Sequence, residues 1–464
     1  MTKLYYLDLV EVGRRIQARD VSSVEVTKAL LERIGKLDRE LKSYVRLMPE
    51  QALAEAQSAD SEIRAGRLRG PLHGVPLAVK DLFWTKGVVT AAGTSIFRDF
   101  IPDTDSTVVA RLREAGSVIV GKTVLTEGAF ADHHPSVRPP VNPWSARHWP
   151  GVSSNGSAIA TATGMCFGSL GSDTGGSIRF PAAANGCTGL KPTWGRVSRH
   201  GGLALAPTLD HVGPITRSAE DAGAMLGAIA GPDPRDPTAN HAPVPDYLAG
   251  MQRGFQGLRV GIDVDFNSRG VDQVTRDTLS RAAETIRTLA GDIHSVRFPN
   301  PDQAISDFVP LNGVETSVVH EATYPSRKNE YGPTLAGHIE HGRSVTLPDY
   351  RAMSARRHAF REQVRALFND VDVLVVPVSG IAAFTLDQMA TVGENAQVFA
   401  ALLRFASPFN MSGHPTLTLP GGFTDEEVPV GFQLVASHFR EDLLIRAGWA
   451  YQQGTDWHRK RPIE

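Results

Sequence analysis

The sequence predicts a layered α/β protein with a mixed or parallel β-sheet flanked by helices. Amphipathic stretches with helical spacing of apolar residues alternate along the chain with short, β-branched apolar runs. Such alternation is typical of layered α/β folds. The 44 glycines and 30 prolines provide the turns that frequent alternation requires.

Helices and strands are predicted in both halves of the chain. Apolar residues recur at helical spacing from Val21 to Leu37, where Ser22 or Ser23 can cap the helix. Strands are indicated by buried runs rich in valine and isoleucine. The other predicted helices are Pro49–Gly66, Ser106–Ala115, Ala158–Phe167 and Gln273–Ala290, the last with Val274, Leu279, Ala282, Ile286 and Leu289 inward; the predicted strands are Gly74–Val79, Val118–Val120, Leu258–Ile262, Val373–Val376 and Val430–Val435.

One stretch could separate two domains. Residues Gly231–Asp246 are rich in proline and aspartate, which is typical of a loop or linker. We interpret it as a long surface loop inside a single domain of residues 1–464, with a domain boundary as the alternative.

Composition excludes several classes of protein. Lysine and arginine total 48 against 50 aspartates and glutamates, a net charge of −2, and this balance argues against a nucleic-acid-binding protein. Only Cys166 and Cys187 are cysteines, too few for a disulfide scaffold or a cysteine-rich metal site. The first residues, Met1–Val10, do not resemble a signal peptide, and no apolar run is long enough to span a membrane. We expect a cytoplasmic protein.

A phosphate-loop pattern occurs at Gly116–Thr123, which reads GSVIVGKT. Its interior, Val118–Val120, is stiff and β-branched, whereas a phosphate-binding loop needs flexible residues with exposed backbone N–H groups. A helix is also predicted before it, where the motif requires a strand. The pattern therefore predicts a strand, and we reject a nucleotide site.

The passage from Pro150 to Pro181 is rich in serine and glycine at both ends. Two flexible loops around a buried helix would explain it, but Gly171–Ser177 could also bind an oxyanion through successive backbone N–H groups. A serine nucleophile needs a base. The passage contains neither a histidine nor a GxSxG pattern. Lys80 ends a predicted strand; such a lysine is usually solvated, but burial would lower its pKa and make it a base.

Several long motifs resemble the amidase signature family. They include Lys80, the loop Gly151–Ser157 (GVSSNGS) and the run Gly171–Pro181 (GSDTGGSIRFP). The resemblance is dense over about residues 70–231 and continues at Gly189–Val197, Leu205–Pro214, Pro408–Pro415 and Gly431–Gln433. Residues 232–400 resemble the family only at the level of the fold, and we expect them to determine substrate specificity.

The resemblance implies a single domain with an α/β/α fold, a large mixed sheet and a Ser–Ser–Lys triad without metal or cofactor. By motif position, Ser177 is the nucleophile, Ser153 the bridging serine that follows a cis peptide bond, and Lys80 the base. Other residues are assigned by their position in the same motifs. The backbone N–H groups of Thr174, Gly175 and Gly176 form the oxyanion hole, and Ser154, Asp173 and Arg179 support the loops.

Family members cleave C–N bonds in many substrates, which leaves alternatives open. We expect a hydrolase of a small or medium aryl or alkyl amide, anilide or carbamate (urethane), and a homodimer is compatible with the resemblance. The alternative is the glutamine-hydrolysing subunit of a tRNA-dependent amidotransferase, although Phe180 stands where those subunits usually carry glutamine. An inactive amidase core is disfavoured, because Lys80, Ser153 and Ser177 are all intact.

Overall fold

The structure, a computed structural model, describes residues 3–463. Eleven strands in this part of the chain form one sheet. In chain order they are β1 Tyr44–Leu47, β2 Pro76–Lys80, β3 Val118–Thr123, β4 Gly168–Asp173, β5 Thr188–Lys191, β6 His211–Thr216, β7 Arg259–Ile262, β8 Asp292–Ser295, β9 Val373–Pro377, β10 Thr416–Phe423 and β11 Pro429–Ala436.

Helices cover the sheet. The α-helices within residues 3–463 are α1 Leu9–Ala18, α2 Ser23–Leu41, α3 Pro49–Arg64, α4 Thr107–Glu114, α5 Asn155–Ala162, α6 Arg179–Asn185, α7 Ala219–Ile229, α8 Val264–Ser268, α9 Gln273–Thr288, α10 Asp302–Val319, α11 Tyr324–Arg327, α12 Pro333–Ser344, α13 Leu347–Leu367, α14 Leu386–Ala390, α15 Ala396–Leu403, α16 Ser407–Met411 and α17 Glu441–Gln453.

The sheet is mixed and draws strands from both halves of the chain. Its order is β1-β3-β2-β4-β6-β5-β10-β11-β9-β7-β8. Strands β3, β2 and β4 are mutually parallel, as are β9, β7 and β8, whereas the strands between these groups pair antiparallel. The central strands are buried on both faces, because helices pack on each side. The largest apolar cluster includes Leu77 and Phe167 from the first half and Leu419 from the second. The predicted α/β/α fold with a large mixed sheet is confirmed.

Most predicted elements occur close to their predicted bounds. Ser22 caps α2 in a reciprocal capping box with Glu25, which accounts for the start of that helix. The predicted helix Ala158–Phe167 is wrong in its position: α5 occupies Asn155–Ala162. The chain turns at Gly164, whose φ of 70° favours glycine, and then enters β4.

Another error concerns α9. The helical pattern predicts an inward Val274, but this side chain is 37% exposed, because it lies in the first turn of the helix on the outer side. Ala282 and Ile286 on the same helix are buried as predicted.

The rejected phosphate-loop pattern forms β3, a fully buried strand, so the strand prediction is confirmed. Lys122 of this pattern is buried. Its Nζ lies 3.1 Å from Asp81 Oδ1 and donates hydrogen bonds to the carbonyl of Phe83 and the hydroxyl of Thr90. The lysine is therefore engaged inside the protein.

The stretch Gly231–Asp246 is irregular and is bonded to the first half of the chain. Asp233 accepts hydrogen bonds from the hydroxyls of Thr107 and Ser198, and Asp236 accepts one from the Arg199 N–H at 2.7 Å. Across residues 3–463, no helix is long and apolar enough to cross a membrane.

Candidate active site

Lys80 is the last residue of β2, which lies between β3 and β4 in the sheet. Its side chain is completely buried. Burial lowers the pKa of Lys80 to about 7, although the carboxylates of Asp173 and Asp210 raise it in part. An amine with such a pKa is substantially neutral near pH 7 and can accept a proton.

Three serine hydroxyls surround the Lys80 amine. Nζ lies 2.7 Å from Ser153 Oγ and 2.9 Å from Ser154 Oγ. The third contact, 2.8 Å from Ser172 Oγ, comes from β4. All of these side chains are buried, so water does not compete for the amine.

The hydroxyls of Ser153 and Ser154 differ in their other contacts. Ser154 Oγ donates to the Ser172 carbonyl at 3.2 Å and accepts from the Ser172 N–H at 3.3 Å. Ser153 Oγ, within residues 3–463, has only the contact with Lys80. Because of this difference, Ser153 retains a hydroxyl proton that can be directed to another group. The Val152–Ser153 peptide bond is cis, as the resemblance implies.

Ser177 lies in the turn between β4 and α6 and is partly exposed. The Ser154 N–H donates to the Ser177 carbonyl at 3.2 Å, so the two serine-bearing loops lie side by side. Among residues 3–463, no group is hydrogen-bonded to the Ser177 hydroxyl. The fold thus brings Lys80, Ser153 and Ser177 into one region, with an accessible hydroxyl at Ser177.

Asp173 and Arg179 form a buried ion pair that fixes this turn. Arg179 Nε and Nη2 donate to the Asp173 carboxylate at 3.0 and 2.9 Å. Asp173 also accepts from the N–H groups of Gly176 and Ile178 and from Asn410 Nδ2. Burial alone would raise the pKa of Asp173, but the Arg179 charge and these hydrogen bonds hold it well below its usual value.

The backbone N–H groups of the turn differ in whether they already donate a hydrogen bond. Those of Thr174, Gly175 and Ser177 have no acceptor within residues 3–463. The N–H of Gly176 differs from the expectation, because it donates to Asp173 Oδ1 at 2.9 Å. A Cβ on Gly175 would lie 2.6 Å from the Phe308 ring and one on Gly176 would overlap the Phe180 ring, so either side chain would displace an aromatic ring, and the φ of 130° at Gly176 also favours glycine.

Two functional candidates are not predicted from the sequence. Ser172 belongs to a matched motif without a role of its own there, and alternation along β4 does not direct it towards Lys80, because Leu170, two residues earlier, pairs with Val79. Asp210 accepts hydrogen bonds from the Thr174 hydroxyl at 2.6 Å and from the backbone N–H groups of Leu205 and Ala206. No sequence signal connects Asp210 with Thr174, since the contact depends on the pairing of β4 with β6.

A cavity of about 160 Å³ lies against the side chains of Ser172 and Thr174. Its wall combines apolar groups, such as Leu82 and Leu203, with the charged Arg199 and Asp210. In the part of the chain that the structure describes, no three His, Cys, Asp or Glu side chains lie close enough together to hold a metal ion.

A buried lysine beside two serine-bearing loops and free backbone N–H groups defines a candidate site for acyl transfer. Comparison with known proteins identifies the class. The family model described as Amidase matches residues 25–445. The chain therefore belongs to the amidase signature family, whose members are hydrolases of amides.

The relatives cover nearly the whole chain. AmiD, an amidase-family protein of Mycobacterium tuberculosis, is 48% identical over 456 residues, which are 98% of this chain and 96% of AmiD. A glutamyl-tRNA(Gln) amidotransferase subunit from Geobacter sp. (strain M21) is 36% identical, and the match covers 99% of both chains. The solved structure of the peptide amidase from Stenotrophomonas maltophilia superposes with a TM-score of 0.83 at 31% identity, over 98% of this chain and 97% of that one. These matches extend through residues 232–400, where sequence motifs alone indicate little resemblance.

Proposed function

We propose that this protein hydrolyses the C–N bond of a small or medium amide or carbamate through an acyl-enzyme on Ser177. One observation carries the proposal: the buried Lys80 amine, with a pKa of about 7, lies 2.7 Å from Ser153 Oγ, whose own proton has no other acceptor within residues 3–463. Such an arrangement lets a lysine activate a serine hydroxyl.

In the first step the Ser177 oxygen attacks the substrate carbonyl carbon and forms a C–O bond. Ser177 passes its proton to Ser153, which passes its own to the neutral Lys80. The carbonyl electron pair moves onto oxygen, and the N–H groups of Thr174, Gly175 and Ser177 stabilise that charge. Gly176 contributes only if its hydrogen bond to Asp173 opens. Loss of one such donor typically raises the barrier by about 2.7–4 kcal/mol.

In the second step the C–N bond breaks. The proton on Lys80 returns through Ser153 to the departing nitrogen, which leaves as an amine. Water then loses a proton to the same relay and attacks the ester carbon. The bond between the carbon and the Ser177 oxygen breaks, the product is a carboxylic acid from an amide, or a carbonic acid monoester that loses CO2 from a carbamate, and Ser177 recovers its proton.

The aromatic side chains around the turn favour a compact substrate with an aryl or alkyl group. Phe308 and Phe180 contact the two glycines, and Trp149 packs on Phe180 at a centroid distance of 5.8 Å. Aromatic walls bind aryl and alkyl groups well. The adjacent cavity of about 160 Å³ is close in size to cavities of about 150 Å³ that hold a benzene molecule.

The test uses the purified chain alone on a panel of p-nitroanilides, alkyl amides, hydrazides and aryl carbamates, with a fluorophosphonate that labels activated serines. We expect turnover of at least one amide or carbamate, labelling at Ser177, and loss of both in Ser177→Ala. Retention of most activity in Ser177→Ala, together with its loss in Ser154→Ala, would refute the assignment.

The second candidate is a glutamine-hydrolysing subunit. It is supported by the 36% identity to the Geobacter amidotransferase subunit over 99% of the chain. Phe180, which packs over Gly176, stands against it, because those subunits usually carry glutamine at this position. The second function would be favoured over the first if glutamine were the only substrate hydrolysed and if ammonia were released from it only in the presence of partner subunits.

A further inference from the structure

The Lys80 amine contacts three hydroxyls, of which the proposed relay uses only one. Ser153 belongs to the relay, whereas Ser154 and Ser172 lie 2.9 and 2.8 Å from Nζ. The number of contacts matters, because an ammonium group has three N–H donors, but a neutral amine has two and a lone pair.

The direction of the Ser154 hydrogen bond follows from its neighbouring contact, and the directions of the other two follow from the role of Lys80 as a base. Ser154 donates its own proton to the Ser172 carbonyl, so it can only accept from Lys80. If Lys80 acts as a base, its lone pair must face the Ser153 hydroxyl. The second N–H of the neutral amine then needs another acceptor, and Ser172 Oγ is the one at hydrogen-bonding distance.

We propose that Ser172 is a positioning residue for acylation. Ser172 and Ser154 each accept a hydrogen bond from one N–H group of neutral Lys80, so that the lone pair of the amine points towards Ser153. This inference rests on the proposed function, since it assumes that Lys80 is the base. Ser172 is not itself a catalytic residue, because it acts only through Lys80.

The sheet holds Ser172 firmly in this position. Strand β4 pairs in parallel with β2, where Val79 lies opposite Leu170, and antiparallel with β6, where Ser172 lies opposite Val212. Within residues 3–463, Ser172 Oγ makes no hydrogen bond besides that to Lys80. The Ser172 hydroxyl therefore does not contribute a hydrogen bond to the strand or its neighbours other than the one with Lys80.

The first test measures the Lys80 amine directly, without any substrate. Protein labelled with [13Cε]lysine is titrated by NMR, and Lys80→Met assigns the resonance. Asp173 on β4 and Asp210 before β6 are the charged groups that act on the Lys80 amine, and both are left unchanged. In Ser172→Ala the ammonium form loses one acceptor, so we expect the midpoint to fall by about one pH unit.

Three matched variants separate the effect of the Ser172 hydroxyl from general effects on the strand. Ser172→Thr keeps the hydroxyl and should restore the midpoint, and Ser172→Cys, with a weaker acceptor, should give a value in between. Ser169→Ala removes another buried hydroxyl from β4, one that contacts Thr161, and should leave the Lys80 midpoint unchanged. These variants keep the test valid if Ser172→Ala fails to fold.

The second test measures acylation. Ser172→Ala should lower the pH-independent rate of fluorophosphonate labelling, and kcat, by about 10-fold or more, with KM unchanged, because a misdirected lone pair weakens proton transfer. Unchanged titration and labelling in folded Ser172→Ala or Ser172→Cys would overturn the inference. Failure of the proposed function would look different: wild-type protein would then not be labelled at Ser177 at all.

Discussion

Replacement of Asp173 by asparagine should destabilise the protein strongly, because this carboxylate organises the turn that carries Ser177. The substitution preserves shape and removes one negative charge. Arg179 would remain buried, with Asn410 and the Ala406 carbonyl as its nearest polar partners. An asparagine would also place an NH2 group towards a guanidinium that has only donors.

The contacts of Asp173 indicate the size of the effect. Its two oxygens accept bonds at 2.9 and 3.0 Å from the Arg179 side chain, at 2.9 and 3.0 Å from backbone N–H groups, and at 2.8 Å from Asn410. Removing one partner of a buried ion pair costs about 3–5 kcal/mol, because the remaining charge is left uncompensated. We expect the free energy of unfolding to fall by that amount.

Urea denaturation, followed by tryptophan fluorescence, measures this change as a lower midpoint at constant slope. Glu362→Gln is the control, because the pair of Glu362 with Arg365 is exposed to solvent and should contribute little to the stability. If Asp173→Asn unfolded within about 1 kcal/mol of wild type but lost fluorophosphonate labelling more than 100-fold, Asp173 would act in the chemistry, and the supporting role proposed for it would be wrong.

Three further predictions concern the lysines and the serine pair. The rate of fluorophosphonate labelling should fall as the pH decreases through about 7, since Lys80 with its lowered pKa becomes an inactive ammonium there. The fall should fit the titration of one proton, and a midpoint near pH 10 would contradict the lowered pKa. Ser153→Ala should reduce labelling more than about 100-fold and Ser154→Ala far less, because the Ser154 proton is already bonded to a backbone carbonyl; equal losses would remove the distinction. Lys122→Met should destabilise the protein by about 3–5 kcal/mol, because the buried carboxylate of Asp81 loses its counter-charge. Calorimetry of the wild-type protein with ATP should show no binding, and a saturable heat of binding would mean that the rejected nucleotide site exists.

The elements that could be predicted are those in which local pattern and tertiary environment agree. Helix α2 has a serine cap and a long apolar stripe, so its start at Ser23 followed from the residues themselves. The β-branched run within Gly116–Thr123 excluded a phosphate loop by the same reasoning. The position of helix α5 cannot be predicted in this way, because apolar residues such as Ala158 and Phe167 fit a buried helix and the start of a strand equally well.

The candidate site is predictable only in part. Lys80, Ser153 and Ser177 lie in motifs long enough to be matched residue by residue with a known family. The roles of Ser172 and the occupied N–H of Gly176 are not visible in those motifs. Both depend on where a side chain on one strand meets a group on another element.

The fold class, the family and the residue types available for catalysis can be read from the order of the amino acids, since these depend on local periodicity and on ordered motifs. The complete burial of Lys80, which lowers its pKa to about 7, is visible only in the folded chain. The folded chain also shows which hydroxyl is free: Ser153 and Ser154 are neighbours in the chain, but only Ser154 is bonded to β4. Desolvation and hydrogen-bond direction depend on the atoms that surround a group, and those atoms come from distant parts of the chain.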